Sequence, residues 1–187
     1  LFAGGESTAA TARSVDFDGT GDYLNTTSSS SDFTMGTGDF TVECWVKKDN
    51  ITNAQGIFQI SGTSGGLEGD PNYASTIAAA YGTHWHTYGA GSYNTDSSQT
   101  PAKKGQWQHV AYVRHSGTSK FYVDGEELIS YSDTTNYNGT YIAIGGYYST
   151  TYLMDGAISN FRVVKGTAVY TSNFTPPSRA LTNITNT

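Results

Sequence analysis

The chain has 187 residues and a formal net charge of −6, from 10 Lys+Arg against 16 Asp+Glu. That length suits one domain, large enough to bury a sizeable core. The acidic balance excludes a nucleic-acid binder that works through a basic patch. Only 14% of residues are charged, with 22 Gly and 14 Tyr. Such a chain is poor in helix formers and rich in residues that suit strands and turns, which disfavours bundles, coiled coils and parallel α/β sheets. The single cysteine, Cys44, excludes an internal disulfide framework and a multi-cysteine zinc site, and reads as a small buried hydrophobe. No run reaches the ~18 apolar residues that span a bilayer, so no membrane insertion is expected. No signal peptide is evident and the first residue is not Met, so the expectation is a cut-out domain or a processed product.

Leu1–Arg13 is small and polar and reads as an N-terminal arm or linker, with the folded domain over 14–187. Ser14–Asp18 alternates apolar and polar residues, as a half-buried strand does. Gly19–Asp22 is a turn and Tyr23-Leu24 starts the next strand. Phe40–Lys47 is the clearest strand, with Phe40, Val42, Cys44 and Val46 on one face and Glu43 and Trp45 on the other. Gly56–Ser61 is another. Thr76–Ala80 and Thr83–Tyr88 read as a hairpin around Gly82, and Ser92–Lys104 as a long polar loop. Gln106–Arg114 and Lys120–Val123 form a hairpin, and Asp124-Gly125 turns the chain into Glu127–Tyr131. Tyr141–Gly145 and Ala157–Val164 complete ten or eleven short strands. Turn signals every 8–15 residues, with no sustained 3.6 period, predict an all-β antiparallel two-sheet sandwich or jelly roll.

Five segments in order resemble the laminin-G-like, concanavalin A-like jelly-roll family. They are Val15–Leu24, Asp39–Lys47, Gln106–Ala111, Lys120–Gly125 and Asp155–Val163. The resemblance implies a fold and no single activity, because that fold hosts lectins, glycosidases, adhesion modules and virion proteins. A narrower stretch, Phe161–Pro177, is similar to the tail end of such domains in bacteriophage structural proteins. It implies a virion-associated fibre or appendage protein, structural or adhesive, with host-surface glycans or other virion proteins as partners and a homo-oligomer as one possible assembly. The location implied is a virion or the extracellular space. A carbohydrate-binding module cut from a secreted polysaccharide-degrading enzyme is the alternative.

No catalytic site is expected. Retaining glycosidases need two carboxyls about 5 Å apart, and those on this jelly roll usually present Glu-x-Asp-x-x-Glu on one strand. That motif is missing here. Glu43 has only Thr41 and Trp45 as neighbours on its own face, and Glu126 and Glu127 alternate across a strand. Asp16, Asp18 and Asp22 cluster around the Gly19–Gly21 turn, which is either a set of hard oxygen ligands for calcium or an Asx-type turn satisfied by its own backbone. By the resemblance, a structural Ca2+ would take Asp22 and Asp155, with Asp18 third. His84 and His86 share one strand face without a visible third metal ligand, so a polar or sugar-contacting face is expected. Aromatics concentrate at Tyr81, Trp85, Tyr88 and Tyr93, and again at Tyr147, Tyr148 and Tyr152, beside Asn94 and Asp96. Sugar rings offer C–H faces to aromatic planes while their hydroxyls hydrogen-bond. The expected ligand surface is therefore Tyr81, His84, Trp85, His86, Tyr88, Tyr147 and Tyr148, shallow and polar-aromatic. Trp45 and Trp107 are expected in the core. Five Asn-x-Ser/Thr sequons, at Asn25, Asn50, Asn138, Asn173 and Asn183, would carry glycans in a secreted eukaryotic chain.

Overall fold

Residues 13–62, 76–81 (backbone), 83–89, 92–95, 101–146 and 150–184 are described by the computed structural model. Strand periodicity dominates them. The strands are β1 (Ser14–Asp18), β2 (Leu24–Asn25), β3 (Phe40–Lys48), β4 (Gln55–Ser61), β5 (Thr76–Tyr81) and β6 (His84–Gly89). They continue as β7 (Ser92–Thr95), β8 (Trp107–His115), β9 (Thr118–Val123), β10 (Glu126–Ser132), β11 (Tyr141–Ile144) and β12 (Asp155–Lys165). A single 3-10 turn, Ser31–Phe33, is the one helical element among the described residues. No helix there is long and apolar enough to cross a membrane.

The strands make two six-stranded sheets, β1-β12-β3-β8-β9-β10 and β2-β11-β4-β5-β6-β7, antiparallel at every pairing. The architecture is the predicted all-β sandwich. Two details differ from the sequence reading. β2 is only two residues long, and β7 lies inside the stretch read as a polar loop. Ser92–Thr95 carries little apolar signal because it is an edge strand, paired on one side only.

The core follows from alternation. Phe40, Val42, Cys44 and Val46 of β3 point between the sheets and meet Ile57, Phe58 and Ile60 of β4, Trp85 of β6, Val110 and Tyr112 of β8, and Phe121 and Val123 of β9. Burial of the Cys44 thiol pushes its pKa well up, consistent with a hydrophobic filler. Ser116-Gly117 and Asp124-Gly125 have φ of 48° and 75°, and 52° and 84°. Those positive values are the signature of primed turns, whose twist matches the strands, and they pin β8, β9 and β10 in register.

At one end of the interior Arg114 is buried between Phe40 and Tyr137, its guanidinium 5.2 and 4.8 Å from the ring centres. It donates to the carbonyls of Gly36, Gly38 and Thr135. The buried charge is thus satisfied by loop backbone, tying two loops to the end of β8.

The stretch after β12 runs back across the outer face of the first sheet. Tyr170 and Phe174 stack at 3.6 Å and pack, with Ala168, on Ala111, Val113 and Tyr122. Gly166 N–H donates to the Asp39 carbonyl and Phe174 N–H to the Gly125 carbonyl. We call residues 166–184 the strap.

Candidate functional site

β6 and β7 form the outer edge of the second sheet, and their register assembles a small polar-aromatic surface. His86 lies opposite Thr95, and Tyr88 opposite Tyr93. His86 Nδ1 and Thr95 Oγ1 share a hydrogen bond of 2.9 Å. The Tyr88 and Tyr93 rings meet edge to face with centres 4.8 Å apart. Tyr88 is thereby buried, while Tyr93 keeps 55% of its surface in solvent. His84, at the start of β6, is exposed on the same face, and Tyr81 of β5 holds the register position opposite it. Asn94 closes the hairpin by donating to the Gly89 and Ser92 carbonyls. Gly89 is required where it stands, because a Cβ there would overlap the hydroxyls of Tyr131, Tyr112 and Tyr137.

The structure thus brings together His84, His86 and Tyr88 of the expected ligand surface, with Tyr81 in register. It removes Trp85. The indole points between the sheets, with 0% exposure and its ring centre 6.0 Å from Phe121. Period-2 alternation decides this: a strand that shows His84, His86 and Tyr88 outward must turn residues 85 and 87 inward. Tyr147 and Tyr148 lie outside the described residues, as does Asp96. The expected ligand surface does not include Tyr93 and Thr95, which the β6–β7 register places on it. The signal for both was a short alternation, Tyr93 then Thr95, inside a polar stretch.

Two other expectations are corrected. Trp45 and Trp107 are not core residues. Both lie on the outer face of the first sheet, where Trp45 is half-buried and Trp107 is 42% exposed.

Around the first turn, Asp18 sits directly opposite Asp155 in the β1–β12 pairing. The Asp18 carboxylate accepts the Thr20 N–H at 2.7 Å, an Asx-type turn. Asp22 is exposed in the following turn. Among the described residues no group of three or more His, Cys, Asp or Glu is disposed to hold a metal ion. Of the side chains that the resemblance implies for calcium, the structure sets Asp18 and Asp155 opposite each other on adjacent strands.

Glu43 occupies an unexpected setting. Its carboxylate is fully buried beneath the strap, among His109, Arg162 and Tyr170. His109 Nε2 lies 3.1 Å from Oε2, the Tyr170 hydroxyl donates to Oε2 at 2.9 Å, and Arg162 forks onto Oε1. Burial by itself would raise this carboxyl. The hydrogen bonds from His109, Arg162 and Tyr170 outweigh burial and hold it below the ordinary carboxylate range. An ionised carboxylate only accepts, so the His109 proton sits on Nε2. A carboxylate sealed in this way has no open path to a substrate.

Comparison with known proteins places the fold. Residues 18–169 match the Laminin_G_3 family, described as the concanavalin A-like lectin/glucanases superfamily. This chain belongs to that superfamily. No curated protein matches the sequence. Among solved structures, the superfamily chain is similar to a heptameric SAP-like pentraxin from Limulus polyphemus. Identity there is 18%, TM-score 0.57, with 80% of this chain and 74% of that one covered. It is similar to domain 4 of AbnA, an extracellular arabinanase from Geobacillus stearothermophilus, solved with arabinotriose. That match has 16% identity, TM-score 0.55 and 84% of each chain covered. It is also similar to mouse laminin alpha1 domains LG4-5, at 14% identity and TM-score 0.56, covering 81% of this chain. Against that laminin fragment the chain spans only 41% of the length. At these identities the matches carry the fold alone.

Proposed function

We propose that this chain is a non-catalytic carbohydrate-binding module, and that the outer face of the second sheet around Tyr93 is its contact surface. The observation that carries this reading is the Tyr93 ring. It is more than half exposed, yet fixed edge-on against Tyr88 and flanked by the His86–Thr95 pair. An aromatic plane held rigid in water loses little entropy when a sugar ring stacks on it, and the adjacent imidazole and hydroxyls suit sugar hydroxyls. The surface is a shelf, so single-site affinity is modest and avidity comes from many copies or from a linked second module.

A structural neighbour solved with arabinotriose, itself one domain of an extracellular arabinanase, favours an appended module on a secreted polysaccharide-acting protein. The bacteriophage-like C-terminal stretch supports the other setting, a virion adhesin, less strongly. In this fold that stretch is the end of β12 and the first part of the strap, and its Tyr170 and Phe174 are accounted for by packing over Glu43 and Ala111.

Titration calorimetry with arabino-oligosaccharides and a glycan array test the function together. Tyr93→Ala should weaken binding about tenfold, the loss of one stacking contact of roughly 1.4 kcal/mol, with the melting temperature unchanged. Binding that is intact in Tyr93→Ala would remove this surface. An array with no glycan bound would remove the function.

A further inference from the structure

The outer face of the first sheet holds a second aromatic surface that the reading above does not use. Cross-strand register sets Asp16, Ala157, Lys47 and Trp107 in one row, and Ser14, Ser159, Trp45 and His109 in the next. Trp45 and Trp107 are therefore diagonal neighbours on one face, at the spacing of about 7–8 Å typical of such pairs. Trp45 is braced edge to face against His109, ring centres 5.4 Å apart. His109 is itself held by Glu43 and backed by Phe174 at 5.7 Å. The strap covers the half of this face that carries Ala111, Val113 and Tyr122. Trp107 stands clear with 42% of its surface in solvent.

The charge around Trp107 is out of keeping with the rest of the molecule. The chain is acidic and has six lysines, and four of them gather at this end: Lys47, Lys48, Lys103 and Lys104. Lys47 lies opposite Trp107 in register. Lys104 bridges to Lys48 through the backbone, and the following Gly105 N–H donates to the Lys48 carbonyl. Gln106 then leads directly into Trp107. Lys47 is 3.6 Å from Asp49. Lys103 and Lys104 are exposed, and among the described residues neither enters an ion pair. The acids near the patch are Asp16, in the Trp107 row, Asp49, taken up by Lys47, and Asp124, whose carboxylate accepts from His109 N–H and the Gln108 amide.

We propose that Trp107, diagonal to Trp45 and opposite Lys47 in register, with the exposed Lys103 and Lys104 on the loop that leads into it, is a second glycan site selective for anionic polysaccharide. An indole offers a sugar-sized plane, and uncommitted ammonium groups beside it favour a ligand that carries its own negative charge. A protein partner fits less well. Two indoles cover roughly 300–500 Å², well short of the ~800 Å² per side of a specific interface, and their border is charged instead of apolar. The two glycan surfaces lie on opposite outer faces of the sandwich, so one module can engage two chains at once. The inference shares with the proposed function only the class of ligand, and it stands or falls on different residues.

Two polymers probe it: polygalacturonate for carboxylate and dextran sulfate for sulfate, with neutral arabinan as control. The wild-type chain should bind at least one anionic polymer, more weakly at high salt. Trp107→Ala and Lys104→Glu should each weaken that binding about tenfold, while Tyr93→Ala leaves it intact. Trp107 is exposed, so its variant should melt with the wild type. The polymer retained identifies the anionic group. Anionic binding that survives in Trp107→Ala is simple ion exchange and overturns the site, as does a failure of both polymers to bind. Neither result touches arabinan binding through Tyr93, so the two readings fail separately.

Discussion

Lys48 closes β3 on the face that points between the sheets, after Cys44 and Val46. It is 3% exposed and its ammonium group has no hydrogen-bond partner among the described residues. Burial pulls its pKa down to about 8. The depressed value means that the native state holds the proton less tightly than the unfolded chain. Between pH 8 and the ordinary lysine range the unfolded chain carries a proton that the native state has released, so this residue makes stability rise with pH there. Below pH 8 its full cost applies, about 3 kcal/mol for a shift of this size. Lys48→Met keeps the volume and removes the charge. It should stabilise the protein by an amount approaching that cost at pH 7, with the advantage fading toward pH 10. Urea midpoints for both proteins at the two pH values check this, and an advantage that does not depend on pH would refute it. Lys48 also shows where a single sequence stops being legible. Strict alternation from Phe40 predicts that residue 48 faces inward, but a lysine at a strand end is ordinarily read as solvated. The same ambiguity misplaced the tryptophans. β8 alternates Val110 and Tyr112 against Ala111 and Val113, apolar in both sets, because the strap buries its outer side as well. Periodicity alone cannot then say which set Trp107 joins.

At the scale of elements the strap explains most of what the strand pattern left open. Thr41 donates to the Thr167 carbonyl and accepts from Val169 N–H, Lys120 donates to the Thr171 carbonyl, and Asn173 accepts from Glu127 N–H. A Cβ on Gly125 would collide with the Phe174 carbonyl, so the Asp-Gly turn that joins β9 and β10 is also the seat of the strap. The twelve strands themselves were largely readable, because hydrophobic alternation and Gly-bearing turns are local signals. The strap was not, since its contacts lie far away in sequence and it has no period of its own. It depends on Glu43. Glu43→Gln keeps the shape but leaves Arg162 and His109 beside a neutral amide, and should cost about 3–5 kcal/mol. The carboxyl is held below its ordinary range in the native state, so its contribution is fully present above the unfolded value of 4.5 and is lost as pH falls through the lower folded value. The gap in stability between the wild type and Glu43→Gln, followed by chemical denaturation, should therefore narrow in acid. Phe174→Ala, which loosens the strap without touching the charges, should cost about 2 kcal/mol with no such narrowing. A gap of constant width across acid pH for Glu43→Gln would mean that the carboxylate is not what anchors the strap.

At the scale of the whole molecule, the fold is closed by its chain ends. β1 and β2 are consecutive, yet they edge different sheets and pair with β12 and β11. The turn between them therefore stitches the two layers together, and it does so at the site of the Asp18–Asp155 pair. Like charges directly opposite on an antiparallel ladder repel by up to about 1 kcal/mol. A bound cation would reverse that sign, and the calcium expected from the sequence requires this. The geometry favours repulsion, because the Asp18 carboxylate is engaged by Thr20 N–H and no third acidic or imidazole ligand is brought to the pair among the described residues. Asp18→Asn retains the oxygen that accepts from Thr20 and deletes one charge. It should leave the melting temperature unchanged or raise it by about 2 °C, the scale of half a kcal/mol or so in a chain of this size. Adding calcium or chelator should move neither protein. A calcium site predicts the opposite on both counts: Asp18→Asn would melt lower, and chelation would lower the wild type to meet it. A scan of the two proteins with and without chelator decides between closure by a metal and closure by strand pairing alone.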